Sequence, residues 1–170
     1  RYRKAAEQGY AAAQSNLGVM YANGKGVTQD YAEAVKWLRK AAEQGYVNGQ
    51  VWLGVMYQHG EGVTRDYKEA VRWYRMAAKQ GNRAAQFWLG SVYHHGQGVA
   101  KNDKEAVRWW RMAGDKGHAR AQYFLGLMYQ NGQGVTQDDA EAVKWYRLAA
   151  EQGNAFAQSN LGWMYDNGEG

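Results

Sequence analysis

The sequence predicts an all-α protein, an α-solenoid of stacked helix pairs, and three observations lead there. The chain copies itself every 36 residues. Its fixed positions fall at helical spacing within each copy. Glycine alone punctuates it, with 22 glycines and no proline in 170 residues. Leu-Gly recurs at Gly18, Gly54, Gly90, Gly126 and Gly162. A tryptophan preceded by Glu-Ala-Val-Lys/Arg recurs at Trp37, Trp73, Trp109 and Trp145. A period of this length marks supersecondary units that bury their apolar faces only against one another.

The first helix of a unit is expected over Ala11 to Asn23, where Gln14, Leu17, Gly18 and Tyr21 share one face at i, i+3, i+4 and i+7. Gly18 costs such a helix about 1 kcal/mol relative to alanine. Its recurrence therefore predicts a close crossing that leaves no room for a side chain. Gly24 and Gly26 supply positive-φ positions, the first as a C-terminal cap. The second helix starts at Asp30, whose partner Glu33 three residues on forms a capping-box pattern repeated at Asp66/Glu69, Asn102/Glu105 and Asp138/Glu141. Ala34, Trp37 and Ala41 make its packing stripe, and Gly45 ends it. This framing gives full units at 9–44, 45–80, 81–116 and 117–152, with partial units at 1–8 and 153–170. Such a chain reads as part of a longer array, a monomer whose open ends favour end-to-end stacking.

Composition excludes several functions. Without cysteine there is no disulfide, thiol nucleophile or Cys-based zinc site. No apolar run approaches the ~20 residues that span a bilayer, so no membrane insertion is expected. The net charge of +5 is modest. Its basic residues (Lys36, Arg39 and Lys40; Arg72 and Arg75; Arg108 and Arg111; Lys144 and Arg147) occupy the later part of the second helices, behind acids at the start. The helix dipole favours that polarity. Arg39–Glu43 and Arg147–Glu151 stand at pairing distance along the helix. A solvated outer face accounts for this pattern, so nucleic acid is not expected as a partner; an acidic partner on that face is the alternative. No helix-borne cluster has zinc-ligand geometry, because His59 and His95 lie on separate helices. "NGKGVTQ" (Asn23 to Gln29) lacks the glycine spacing and the Ser/Thr of a phosphate-binding loop. No cofactor and no enzymatic activity are expected.

The string "LGVMYANGKGVTQDYAEAVKWLRKAAEQG" (Leu17 to Gly45) resembles the consensus of Sel1-like repeats, relatives of the tetratricopeptide repeats. The resemblance extends over the whole chain. It implies a right-handed α/α superhelix in which the first helix of each pair lines the concave side. It also implies work as a non-enzymatic adaptor that organises other proteins. Some secreted members carry a disulfide in each repeat, and this chain departs from them. Disulfide-rich relatives with β-lactam binding would imply Ser-x-x-Lys, but Ser15, Ser91 and Ser159 are each followed by other residues.

Comparing the copies with one another separates two kinds of column. Invariant columns are those that stacking requires. In the first helix, four variable columns lie opposite the invariant face, and they supply the candidate site. One reads Ala12, Asn48, Ala84, Arg120, Phe156; the next Asn16, Trp52, Trp88, Phe124, Asn160. The others read Val19, Val55, Ser91, Leu127, Trp163 and Asn23, His59, His95, Asn131, Asn167. The expected partner-binding set is Asn48, Trp52, Val55, His59, Trp88, Ser91, His95, Arg120, Phe124, Leu127, Asn131 and Trp163. Aromatics edged by polar groups are typical of interaction hot spots. They suit a protein or peptide, or in the alternative a carbohydrate or cell-wall fragment. The competing reading is that the rings pack on the second helices or on one another. The column Ala22–Gln58–His94–Gln130–Asp166 is expected to be solvated.

Overall fold

The structure is a computed structural model that describes residues 2–168. Among those residues every regular element is a helix. In chain order they are α1 (Tyr2–Glu7), α2 (Ala11–Asn23), α3 (Tyr31–Glu43), α4 (Val47–His59), α5 (Tyr67–Lys79), α6 (Arg83–His95), α7 (Asp103–Asp115), α8 (Ala119–Asn131), α9 (Asp139–Glu151) and α10 (Ala155–Asp166). None is long and apolar enough to cross a membrane. The helices group into two compact units, Arg1–Asn82 and Arg83–Gly170.

Local sequence sets the helix ends. Gly24 caps α2 in the left-handed region at φ 66°, and Gly60 and Gly132 do the same for α4 and α8. Each second helix opens on an Asp or Asn whose side chain accepts from the backbone N–H three residues on, as Asp30 does from Glu33 at 3.0 Å. Only this half of the capping box forms. The Asp30 N–H donates instead to the Tyr21 carbonyl (3.0 Å), which ties the loop back to α2.

The freed glutamates take other work. Glu33 accepts from Lys36 (2.9 Å) and from the Trp37 indole (3.2 Å), and Glu141 repeats this with Lys144 and Trp145. Where the cation is arginine, it takes the carboxylate. Arg72 engages both oxygens of Glu69, Arg108 pairs with Glu105, and among the described residues the buried indole nitrogens of Trp73 and Trp109 have no hydrogen-bond partner. An unsatisfied buried donor costs stability. Replacing Arg72 with lysine is therefore expected to return Glu69 to the indole. It should stabilise unit one by about 1 kcal/mol, read as a higher urea midpoint at unchanged slope.

In the first unit, Leu17 and Leu38, then Leu53 and Tyr74, are buried between helices of a pair. In the second, Leu89, Trp110, Leu125 and Tyr146 play the same parts. The expected close crossings are there at Gly18, Gly54, Gly90 and Gly126, but not at Gly162, where nothing lies within 4 Å of an added β-carbon. A β-carbon added at Gly18 would fall 2.6 Å from Leu38 Cγ, one at Gly54 2.5 Å from Tyr74 Cε1, and one at Gly126 2.4 Å from Tyr146 Cδ1. The invariant glutamines knit successive pairs. Gln14 donates to the Ala6 carbonyl and accepts from Gln44; Gln122 donates to the Gly114 carbonyl and accepts from Gln152. The invariant tyrosines do likewise, with Arg39 donating to the Tyr57 hydroxyl (2.8 Å), Arg147 to that of Tyr165 (2.7 Å), and Arg111 to that of Tyr129.

That last pattern adds to an expectation, since Glu151 still acts electrostatically on Arg147 behind the Tyr165 hydroxyl. Arg39 and Arg147 turn to a tyrosine of the following helix, and the ion pairs along the second helices run from Glu33 to Lys36, Glu69 to Arg72, Glu105 to Arg108 and Glu141 to Lys144. The i, i+3 carboxylates lie over the first turn, while the phenol offers the arginines a partner across the helix boundary.

Candidate functional site

The variable columns of the first helices keep a surface on both units. In the first unit Trp52 and Val55 are half-buried, with Asn48 and His59 exposed beside them. Trp52 leans on the core formed by Leu38, Leu53 and Met56. In the second unit Trp88, Ser91, Phe124 and Leu127 are half-buried, while His95, Arg120 and Asn131 are exposed and Trp163 is 51% exposed. Invariant Gln86, Leu89, Gln122 and Leu125 are fully buried on the other side of the same helices.

The second unit joins its rings into a continuous strip. Trp88 meets Phe87 edge-on at 5.2 Å, Phe87 lies 6.1 Å from Phe124, and Phe124 stacks on the buried Trp110 at 4.8 Å. Tyr123 continues the series, 5.4 Å from Phe124 and 5.9 Å from Phe156. Trp88 and Phe124 thus connect through Phe87. Phe87 and Trp110 are buried in this arrangement, while Trp88, Tyr123 and Phe124 pack against the core and stay half-buried. Phe87 and Tyr123 belong to the column Ser15–Val51–Phe87–Tyr123–Ser159, which varies as freely as those singled out from the sequence. It was missed because it borders the invariant face.

The polar edge is partly engaged. His95 Nδ1 lies 2.8 Å from the Ser91 carbonyl and the Asn167 amide donates to that of Trp163 at 2.7 Å, each reaching back one turn of its own helix. His94 is a correction. It is 24% exposed rather than solvated, and its Nδ1 lies 2.7 Å from an Asp103 carboxylate oxygen. Its ring sits 5.5 Å from Trp110. The other members of its column explain why. Gln58 and Gln130 accept from the hydroxyls of Tyr74 and Tyr146, both at 2.7 Å. Where Trp110 replaces the tyrosine, no hydroxyl is left to donate, and histidine replaces the glutamine. Burial pushes the Tyr74 phenol up, and pushes that of Tyr146 up to about 12, so both remain donors.

Close to the strip the field is positive. Arg120 lies 5.0 Å over the Phe87 ring and Arg83 donates to the Lys116 carbonyl at 3.0 Å. Among the described residues neither arginine has an ion-pair partner in Asp or Glu. His118 also stacks on Phe87 (4.6 Å), and its Nδ1 accepts from the Ala121 N–H at the start of α8. Burial, and then the charges of Arg83 and Arg120, push its pKa down to about 4 from its ordinary 6.5. A neutral folded histidine that protonates on unfolding contributes stability in full above pH 6.5 and loses it as pH falls toward 4. Asn154 caps α10 at the equivalent position, accepting from the Ala157 N–H at 2.9 Å. His118→Asn is therefore expected to keep the cap while flattening the fall in melting temperature between pH 6.5 and about 4.

Arg120, Tyr123 and Phe124 from α8 face Asn154, Ala155 and Phe156 at the start of α10 across a cleft of about 420 Å³. Phe156 is 71% exposed.

The family model of the Sel1 repeat matches residues 2–10, 11–46, 47–82, 83–118, 119–154 and 155–170. A protective antigen present in uropathogenic Escherichia coli strains, displaying an SLR fold, is similar at a TM-score of 0.95 and 43% identity, over 99% of this chain and 36% of its own. A Sel1 repeat protein from Oxalobacter formigenes is similar at 0.89 and 40% identity, over 96% of this chain and 65% of its own. Helicobacter pylori cysteine rich protein B is similar at 0.56 and 30% identity, over 69% of this chain and 90% of its own. The chain thus spans roughly a third of the first relative and just under two thirds of the second. No curated protein matches it. The repeated helix pairs match Sel1 repeat solenoid structures.

Proposed function

The chain belongs to the Sel1 repeat family, and from that premise we propose that it is a non-enzymatic scaffold holding a protein or peptide partner on the variable face of its first helices. Sel1 repeat proteins are in general protein-interaction scaffolds and typically non-catalytic. One observation carries the finer reading. The four variable columns singled out on the first helices are left half-buried or exposed and gather aromatic rings, whereas the Gln and Leu-Gly columns opposite them are buried in α2, α4, α6 and α8. Trp52 in the first unit and Trp88, Phe124 and Trp163 in the second would be the anchors, set on helices whose backs are locked by packing. Anchors held this way lose little conformational freedom when a partner docks. Asn48, Val55, His59, Ser91, His95, Arg120, Leu127 and Asn131 would form the rim. Capture of a partner by the wild-type chain and by a Trp52→Ala/Trp88→Ala chain tests the reading. Loss of the partner from the double variant is expected; undiminished capture would make the rings architecture.

A further inference from the structure

The cleft between α8 and α10 differs from the rest of the variable face. Its walls are Tyr123, Phe124 and Phe156, with the first two ring planes inclined at 60° and Tyr123 and Phe156 at 36°. Inclined rings around an opening of about 420 Å³, within the usual size of small-ligand sites, accept another planar ring by edge and face contact. At its rim stands Arg120, exposed, one flank lying on Phe87. Among the described residues no carboxylate pairs with it or with Arg83. That leaves a guanidinium fork oriented by an aromatic ring and free to take an acid in two parallel hydrogen bonds.

We propose that this cleft takes an aromatic side chain from an acidic stretch of the partner, its ring on Tyr123, Phe124 and Phe156 and a neighbouring carboxylate on Arg120. The assignment rests on the reading of the first-helix face as the binding surface, and it adds the chemistry of what binds. Burial first, and then the charges of Arg83 and Arg120, lower the pKa of His118 beside this rim. Single-stranded nucleic acid also uses rings and arginine, but it requires cations that track a backbone. The column of Arg120 offers no second cation to continue such a track: it reads Ala12, Asn48, Ala84, Arg120 and Phe156.

The test is an amide-resonance titration of the full chain with a peptide of phenylalanine flanked by aspartates. Companion peptides carry asparagines in place of the aspartates, or alanine in place of the phenylalanine. The aspartate peptide is expected to shift residues around Tyr123, Phe124 and Ala155. Its affinity should exceed that of both companions, and should fall about tenfold in Arg120→Gln, whose exposed site leaves folding unchanged by circular dichroism. Equal affinity for the asparagine peptide, or an unaffected Arg120→Gln, overturns the acidic assignment. Equal affinity for the alanine peptide overturns the aromatic one. Tighter binding of oligothymidylate or a soluble glycan at the same residues overturns both, as does the absence of any peptide binding. The broader reading is judged separately, by partner capture with the Trp52→Ala/Trp88→Ala chain, so the two can fail independently.

Discussion

Gly90→Ala is expected to destabilise the second unit by about 1–2 kcal/mol, while the same change at Gly162 leaves stability unchanged or improves it. A β-carbon at Gly90 would fall 2.3 Å from Trp110 Cδ1 and 2.4 Å from its Nε1. That indole has nowhere to retreat. It is fully buried, stacked on Phe124, and its N–H donates to the Phe87 carbonyl at 3.1 Å. Overpacking of a well-filled core commonly costs about 1–3 kcal/mol, against which alanine recovers at most about 1 kcal/mol of helix propensity. At Gly162 nothing lies within 4 Å of the added carbon, so only the propensity gain remains. At about 2–4 °C per kcal/mol for a chain of this size, the two variants should move the melting temperature in opposite directions. Equal shifts would mean that the Leu-Gly repeat reports something other than the crossing.

The second large effect concerns binding. Truncating a buried aromatic hot spot commonly costs 2 kcal/mol or more, about thirtyfold in affinity. Trp52→Ala/Trp88→Ala removes one such ring from each unit. Both rings also lean on a core, so the double variant should melt somewhat lower than wild type. It should still keep its helical signal, because the buried columns beneath the rings are untouched. Binding lost from a chain that retains its fold is the expected outcome, measured by titration calorimetry beside circular dichroism.

Most of the fold was legible because its determinants are local. The run from Ala11 to Asn23 carries its own periodicity and its own capping glycine, and α2 occupies that span. Asp30 with Glu33 located the start of α3, although half of the expected box is diverted to Lys36 and Trp37. What stayed hidden depends on pairs of columns in different helices. His94 pairs with Asp103 because Trp110 lacks the hydroxyl that Tyr74 and Tyr146 give to Gln58 and Gln130. The tyrosine anchors of Arg39 and Arg147 stand 18 residues away, beyond the reach of an i, i+4 argument. The cleft was half legible. Arg120 and Phe124 stand in columns singled out for their variation. Tyr123 lies at the margin of the invariant face, and Asn154 stands before α10, outside any helical stripe.

Partner affinity, compared between Trp88→Ala and a chain with Arg72 and Arg75 reversed to glutamate, sets the open ring face against the basic outer stripe. Trp88→Ala is expected to weaken the complex severely, and the charge reversal to leave it near wild type. A complex that survives loss of the indole but collapses on charge reversal would place the partner on the second helices and rule out the ring face as the binding surface.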